Sequence, residues 1–249
     1  MTLGIALPAV ALGGFIHGAL GLGFPLVTTP LIALVTDVKT AIILTLAPTL
    51  AVNIISIIWG GGWRESLGRY WSVALFVLLG SILGTKLLII ADPRPFRLIL
   101  AVIIVIYLYT SSLQQLSWRW ISYHPGFWGA GFGFAAGFMA GTVNVAVPIL
   151  IIYFSEMRLS SLALVQCLNL SFLSGKTAQI GTFALSGHLI QASILLSLGF
   201  ALVASLALLV GTRLRRRIDA DVYRQWLRRI LFIVAAILVV QFWLDFGAI

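Results

Sequence analysis

Apolar positions run along this chain in blocks long enough to cross a bilayer, separated by short polar links. Eight blocks are predicted, at about residues 3–34, 40–60, 70–91, 96–113, 126–154, 160–184, 188–210 and 227–246. A helix rises about 1.5 Å per residue, so roughly 20 residues cover a hydrocarbon core of about 30 Å. The first and fifth blocks exceed that length and must tilt, bend, or dip in and turn back. Elsewhere the breaks are sharp: Gly60-Gly61-Gly62-Trp63-Arg64-Glu65, Asp92-Pro93-Arg94-Pro95 and His124-Pro125-Gly126. The pattern predicts an all-α integral membrane protein. About eight transmembrane helices would form one membrane domain of two pseudo-symmetric four-span halves, residues 1–120 and 121–249, with the first and fifth spans broken.

Those two long blocks share a motif. Gly14, Gly18, Gly21 and Gly23 lead into Pro25 and Pro30; about 119 residues later Gly133, Gly137 and Gly141 lead into Pro148. An acid-x-base link follows each run, Asp37-Val38-Lys39 and Glu156-Met157-Arg158. The register slips by one residue between the glycines and the proline. Gly14/Gly18 and Gly133/Gly137 have the spacing that lets helices pack closely. The later glycines read as breaks, with helices restarting at Gly21-Leu22-Gly23-Phe24-Pro25 and Gly141-Thr142-Val143-Asn144. A restarting helix presents free N–H groups and a positive dipole end, which suit an oxyanion. Irregular backbone is costly in lipid unless it lines a cavity or is buried in protein. Four spans per half give parallel halves by simple counting; a re-entrant element would invert them.

Composition excludes a soluble domain: 61% of residues are hydrophobic and 9% charged, with mean hydropathy +1.09. The net charge of +9 is not a nucleic-acid signal, because it concentrates in one link, Arg213 and Arg215–Arg217 with Arg224, Arg228 and Arg229 close behind. That cluster reads as a topology determinant touching anionic lipid. Counting over eight crossings puts Arg64, Arg69 and Arg119 on one side. Lys39, Arg94, Arg97, Arg158 and the cluster fall on the other, cytoplasmic side, with both termini outside. Trp59, Trp63, Trp71, Trp118, Trp120, Trp128 and Trp243 would anchor the poorly charged side and Trp226 the basic side. The single cysteine, Cys167, allows no intramolecular disulfide and no cysteine metal cluster, and reads as a packing residue. The N-terminus lacks the basic region of a cleavable signal peptide. A multi-pass protein of the bacterial inner membrane is expected.

Lys176 stands out. It sits amid the sixth block, where a charge costs about 2.5–3.5 kcal/mol by insertion scales, so it should face a cavity or partner. Gln166, Asn169, Ser171, Ser174, Thr177 and Gln179 make this the most polar block, and no acidic residue lies mid-membrane to pair with the lysine. An unpaired intramembrane cation suits an anionic substrate; the plainer reading is a lysine that snorkels or bonds to broken-helix carbonyls. A weaker stripe, Thr45, Pro48, Thr49, Asn53 and Ser56, lies on the second block. The expected substrate-binding set is Lys176, Asn169, Gln179, Gly23, Gly141, Thr142, Asn144, Asn53 and Thr49, with Thr28 and Thr29 as further donors. His17, Asp37 and Glu156 are candidates for proton coupling, against a packing role for the histidine and local caps or ion pairs for the acids. Lys86, near a block end, is expected to snorkel. Histidines only at 17, 124 and 188 give no metal site, and neither a nucleotide loop nor a nucleophile with a paired base is present. No cofactor and no nucleic acid are expected; the expected partners are a small anion and membrane lipids, and a homodimer stays open.

In the doubled motif Gly14-x3-Gly18-x2-Gly21-x-Gly23…Pro30 and Gly133-x3-Gly137-x3-Gly141…Pro148, and in length and layout, the chain resembles the sulfite exporter family of TauE/SafE-like permeases. The resemblance implies transport of sulfite, sulfonates or other small organosulfur anions, generally outward. Members usually carry a glycine triplet where this chain has Gly23-Phe24-Pro25 and Gly141-Thr142-Val143, so backbone approach to the substrate differs at both places. The leading expectation is a secondary transporter that is not an enzyme, with substrate near the midplane and alternating access. The alternative, an integral-membrane enzyme acting on a lipid-linked substrate, needs clustered carboxylates, metal ligands or an activated nucleophile. Seven acidic residues without a cluster do not supply them.

Overall fold

A computed structural model of the chain describes residues 2–61, 63–109, 118–189, 191–214 and 220–247. Gly62, Arg215–Arg217 and residues 110–113 lie outside the described residues, as do the side chains of Trp63, Arg64, Glu65, Arg224 and Trp226. All described elements are helices: α1 (Thr2–Leu20), α2 (Phe24–Ala33), α3 (Val38–Leu44), α4 (Leu46–Gly60), α5 (Trp63–Ile90), α6 (Arg94–Leu108), α7 (Arg119–Tyr123), α8 (Pro125–Val143), α9 (Val147–Glu156), α10 (Ser161–Leu185), α11 (Gln191–Leu214) and α12 (Ala220–Gly247). Among the described residues α1, α5 and α11 are each long and apolar enough to cross a membrane, and α3 with α4, bent by 47°, makes a fourth such unit. Leucines at helical spacing stay exposed, Leu75, Leu79, Leu83 and Leu87 on α5 and Leu195, Leu198, Leu202 and Leu206 on α11. Such stripes suit lipid, which gives an apolar surface no reason to hide.

The expected eight spans do not map onto eight crossing helices. The first block folds back on itself: Thr28 Oγ donates to the Ala9 carbonyl at 3.5 Å, and Gly13 lies under Phe24 and Thr28. Helix α2 is therefore antiparallel to α1. The fifth block does the same, with the Tyr153 hydroxyl donating to the Pro125 carbonyl at 3.0 Å and Gly129 beneath its ring. At 10 residues each, α2 and α9 are too short to cross alone. The expected division at residue 120 falls inside α7.

Glycine decides how the long arms of these hairpins pack. On α1, Gly14 abuts Ala204 backbone and Gly18 abuts Leu208 and Thr212, while Gly211 of α11 abuts Phe15 and Ala19. On α8, Gly133, Gly137 and Gly141 abut Val73, Val77 and Ser81, while Gly80 and Gly84 of α5 abut Phe134 and Phe138. Residue numbers rise together in both pairs, so α1 runs parallel to α11 and α8 parallel to α5. Every one of these glycines faces backbone, where an added Cβ has no flexible neighbour to displace. The expected packing role of Gly14, Gly18, Gly133 and Gly137 holds. Gly141 is corrected: it stays inside α8 and packs like the others.

Helix starts recur at one interval. Residues 24 and 38 open α2 and α3, and residues 147 and 161 open α9 and α10, 123 residues later in both cases. Gly14 then matches Gly137, Gly18 matches Gly141 and Pro25 matches Pro148. The N-caps match too: Asp37 accepts from Thr40 N at 2.9 Å and Ser160 from Ala163 N at 3.2 Å. The register of about 119 read from the glycines is thus one helical turn short, and the one-residue slip disappears.

Fold-back also reassigns the loops. Trp118 N donates to Glu156 Oε1 at 2.9 Å, and Arg228 donates to the Leu108 carbonyl. Gly60 lies against Gln166. Arg119, Arg158 and Arg228 therefore share one face with the ends of α4 and α6. On the opposite face Asp37, Lys39, Pro93 and His188 line one pocket, and Arg97 donates to the Thr36 carbonyl at 3.2 Å. There the Arg94 guanidinium holds the Asp92 carboxyl below the usual carboxylate range. Lys39, Arg94 and Arg97 thus lie opposite Arg158, not beside it, because each hairpin returns the chain to the side it left. Trp243 is also moved: Gln241 donates to the Leu34 carbonyl, which puts Trp243 on the face away from Trp118, Trp120 and Trp128.

These packing rules predict that Gly137→Val lowers the melting temperature of the detergent-solubilised protein, with a cost of at least about 1–3 kcal/mol for overpacking. Gly131→Ala, with nothing within 4 Å of its added Cβ, leaves it unchanged or raises it, since alanine favours a helix by about 1 kcal/mol over glycine. Thermal unfolding by tryptophan fluorescence compares the two.

Candidate functional site

Both hairpins turn through left-handed backbone. Gly21 and Gly23 have φ of 83° and 107°, and Asn144 has φ of 63°. Glycine enters that region freely, and asparagine is among the residues that tolerate it. The expected restart at Gly21–Pro25 is observed, with α2 opening at Phe24. The second restart comes later than expected: α8 runs through Val143, Asn144 makes the turn, and α9 opens at Val147. Thr142 Oγ bonds back to the Phe138 carbonyl at 3.0 Å and so donates within its own helix.

Asn144 is the centre of the site. Its Nδ2 donates to Thr29 Oγ at 2.7 Å and to Thr45 Oγ at 3.1 Å. Its Oδ1 accepts from Lys176 Nζ at 2.6 Å. Lys176 donates also to Gln179 Oε1 at 2.5 Å, one helical turn on. Gln179 Nε2 in turn donates to the Gly141 and Ala140 carbonyls at 3.1 and 3.3 Å, tying α10 to the end of α8. Thr45 breaks the helix between α3 and α4, and its hydroxyl donates to the Ala41 and Ile42 carbonyls. Four segments thus meet at one ammonium: the turn after α8, α2, the α3–α4 bend and α10.

Lys176 is 4% exposed, and among the described residues no carboxylate lies within ion-pair reach of it. Both of its partners are neutral amide oxygens, which solvate the charge without cancelling it. Pro25, Thr49, Asn144, Ala146, Phe172, Gly175 and Gln179 close around it in a cavity of about 10 Å³, room for about one water. In this conformation the site is shut.

Of the expected binding set, Lys176, Gln179, Asn144 and Thr49 come together; Gly141 contributes only its carbonyl. Asn169 does not join them. It lies two turns earlier on α10 and donates to the Gly21 and Val165 carbonyls, both at 3.0 Å. Gly23 belongs to the same first turn. Asn53 is fully buried, and neither its Nδ2 nor its Oδ1 has a partner. It stands 123 residues before Lys176, as Gly21 stands before Asn144. His17 Nε2 sits 3.0 Å from Ser56 Oγ. Asp37 caps α3, Glu156 ties down Trp118, and the two lie on opposite faces away from Lys176. Cys167 is buried in the packed core as expected.

Sequence reading took Ser174 only as part of a polar block and missed Ser81 and Ser197, which with it lock the site in place. Ser81 Oγ donates to the Gly175 carbonyl and Ser174 Oγ to the Ala74 carbonyl, both at 2.7 Å, fixing α10 on α5. Ser197 Oγ accepts from Ala47 N at 3.1 Å just past the α3–α4 bend. A lone serine in an apolar helix gives no pattern to find it by.

The family profile described as Sulfite exporter TauE/SafE matches residues 6–242, nearly the whole chain. The chain belongs to the sulfite exporter TauE/SafE family. No curated protein and no solved structure matches it. Membership makes this a multi-pass membrane protein of a transporter family, in accord with its apolar helices. In this TauE/SafE chain the buried ammonium depends on its two amide oxygens. Gln179→Leu is therefore predicted to destabilise the fold by about 1–3 kcal/mol, the cost of removing a partner from a buried polar group. Unfolding in detergent measures it, and Thr177→Val on the exposed side of α10 is the control.

Proposed function

We propose that this chain is a secondary transporter of a small oxyanion, sulfite or an organosulfonate, which binds at Lys176. The observation that carries the reading is a buried lysine solvated only by the amide oxygens of Asn144 and Gln179. An anion entering the cavity supplies the missing opposite charge and displaces neutral acceptors, so it gains a charge-assisted hydrogen bond at a site already desolvated. Family membership supports the sulfur oxyanion class.

Inverted halves account for the helix directions. With α1–α2 and α8–α9 as re-entrant hairpins, the crossings are α3–α4, α5, α6, α10, α11 and α12. Helices α4 and α10, which match in the 123-residue register, run in opposite directions: Gly60 lies by Gln166, while Thr49 lies by Lys176. Inverted repeats with broken helices at their interface suit alternating access, in which one half rocks against the other around a central site. Among the described residues Arg69, Arg119, Arg158, Arg213, Arg228 and Arg229 on one face outnumber Lys39, Lys86, Arg94 and Arg97 on the other, which reads as cytoplasmic for the first face, with the termini outside. The closed cavity around Lys176 is then an occluded state.

Purified full-length protein in liposomes tests the reading. Wild type is expected to exchange sulfite, with organosulfonates and sulfate as comparison anions. Lys176→Gln, which keeps a hydrogen-bonding side chain but removes the charge, is expected to cut exchange by roughly two orders of magnitude, the scale of losing a desolvated charge partner. Wild-type exchange by a folded Lys176→Gln protein would refute the assignment.

A further inference from the structure

A cavity of about 690 Å³ lies between the first hairpin turn, α4, α10 and α11. Its rim carries the exposed Trp59, Gly60, Ser161 and Leu162 on the arginine-bearing face, and its wall includes His17, Ser56 and Gln166. His17 is fully buried, yet it lines this cavity and its Nδ1 has no hydrogen-bond partner. We propose that His17 is a proton-binding site, loaded from this cavity, that couples a proton to the anion bound at Lys176. This rests on the oxyanion reading of Lys176 given above.

The ring is set up to hold a proton reversibly. Ser56 Oγ lies 3.0 Å from Nε2, and a hydroxyl both donates and accepts. Asn169 lies beside the ring. Its Nδ2 is pinned by the Gly21 and Val165 carbonyls, so its Oδ1, which has no hydrogen-bond partner, is the end left to accept. A neutral ring accepts from Ser56 and donates toward Asn169. An added proton from cavity water makes an imidazolium that donates to both. Only the serine hydroxyl has to rotate between the two states.

Among the described residues few other charged or titratable groups face the ring. Helices α2 and α4 carry no charged residue; α11 offers Arg213 next to Thr212, and α10 offers Lys176 and the Cys167 thiol. Among the described residues no carboxylate lines the cavity. Asn169 and Lys176 are seven residues apart on α10, about 10 Å along its axis. Between the two cationic positions lies the polar seam of α4 and α10, including the unpartnered Asn53 amide. Two positive charges at that range in a poorly polarisable interior repel, and an anion relieves both. Proton and anion therefore bind better together than apart, and the linkage is reciprocal. One proton accompanies one anion; the N–H bond forms as hydronium in the cavity gives up an O–H proton, and the reverse transfer releases it.

The test uses full-length protein in liposomes with sulfite as the anion and a pH-sensitive dye inside. Wild type should move protons together with sulfite, and its apparent KM should rise with pH on the cavity side. His17→Gln should exchange sulfite more slowly and without accompanying protons. The variant-to-wild-type KM ratio, from which sulfite's own titration cancels, should fall by roughly tenfold between pH 6 and pH 8, a typical coupling strength. Asn169→Leu keeps the histidine but removes the amide oxygen open to a protonated ring, and should shift the midpoint to lower pH. Proton movement at wild-type level in His17→Gln, or an unmoved midpoint in Asn169→Leu, overturns the proposal. Wild-type sulfite exchange by Lys176→Gln would instead overturn the anion reading, so the two failures are told apart.

Discussion

The architecture depends on the need to hold one ammonium inside an apolar protein without a carboxylate. A charge at that depth is tolerated only if polar groups converge on it. Here they come from two elements: Asn144 from a hairpin turn, and Gln179 from the same helix as the lysine. Asn144 can reach Lys176 only because the turn puts it in left-handed backbone, and its amide is oriented by Thr29 and Thr45. The hairpins, the α3–α4 bend and the glycine packing that seats them are the conditions for that convergence. A bound carboxylate would satisfy the lysine permanently; amide oxygens leave its charge uncancelled, as the proposed anion site requires.

Glycine provides the second constraint. Helices α1 and α8 each lie close enough to a partner that glycine faces backbone, on α11 and α5 respectively. In lipid, apolar burial does little to bring helices together, and close backbone approach does more. Each hairpin is thereby packed against a helix of the other half of the sequence. On the proposed function, movement of one hairpin relative to the α4–α10 seam is what would open Lys176 to either side.

Much of this could be read from the chain. Lys176 is conspicuous because a cation in an apolar block has few explanations, and Gln179 follows from helical spacing. The first break was legible because Gly21 and Gly23 leave little else to build. The second was read three residues early, since Gly141 looks like a break but serves packing, while Asn144 makes the turn. The repeat register was off by one turn because glycines spaced four apart match equally well when slid by four. Fold-back, left open beside tilting and bending, was the option that mattered most. Hydropathy counts apolar residues but carries no sign for direction, so two hairpins were counted as crossings and Lys39, Arg94 and Arg97 were put with Arg158. The His17–Ser56 pair joins residues 39 apart in sequence, a contact that no local pattern encodes.

The most direct measurement is an experimental density map of the protein soaked with selenite, a heavier analogue of sulfite that can be located by its anomalous signal. The account predicts a selenium peak within hydrogen-bonding reach of Lys176 Nζ, with the Asn144 and Gln179 side chains turned away from the ammonium. A map with selenium bound elsewhere and Lys176 still held by both amides, or paired to a carboxylate, would contradict it.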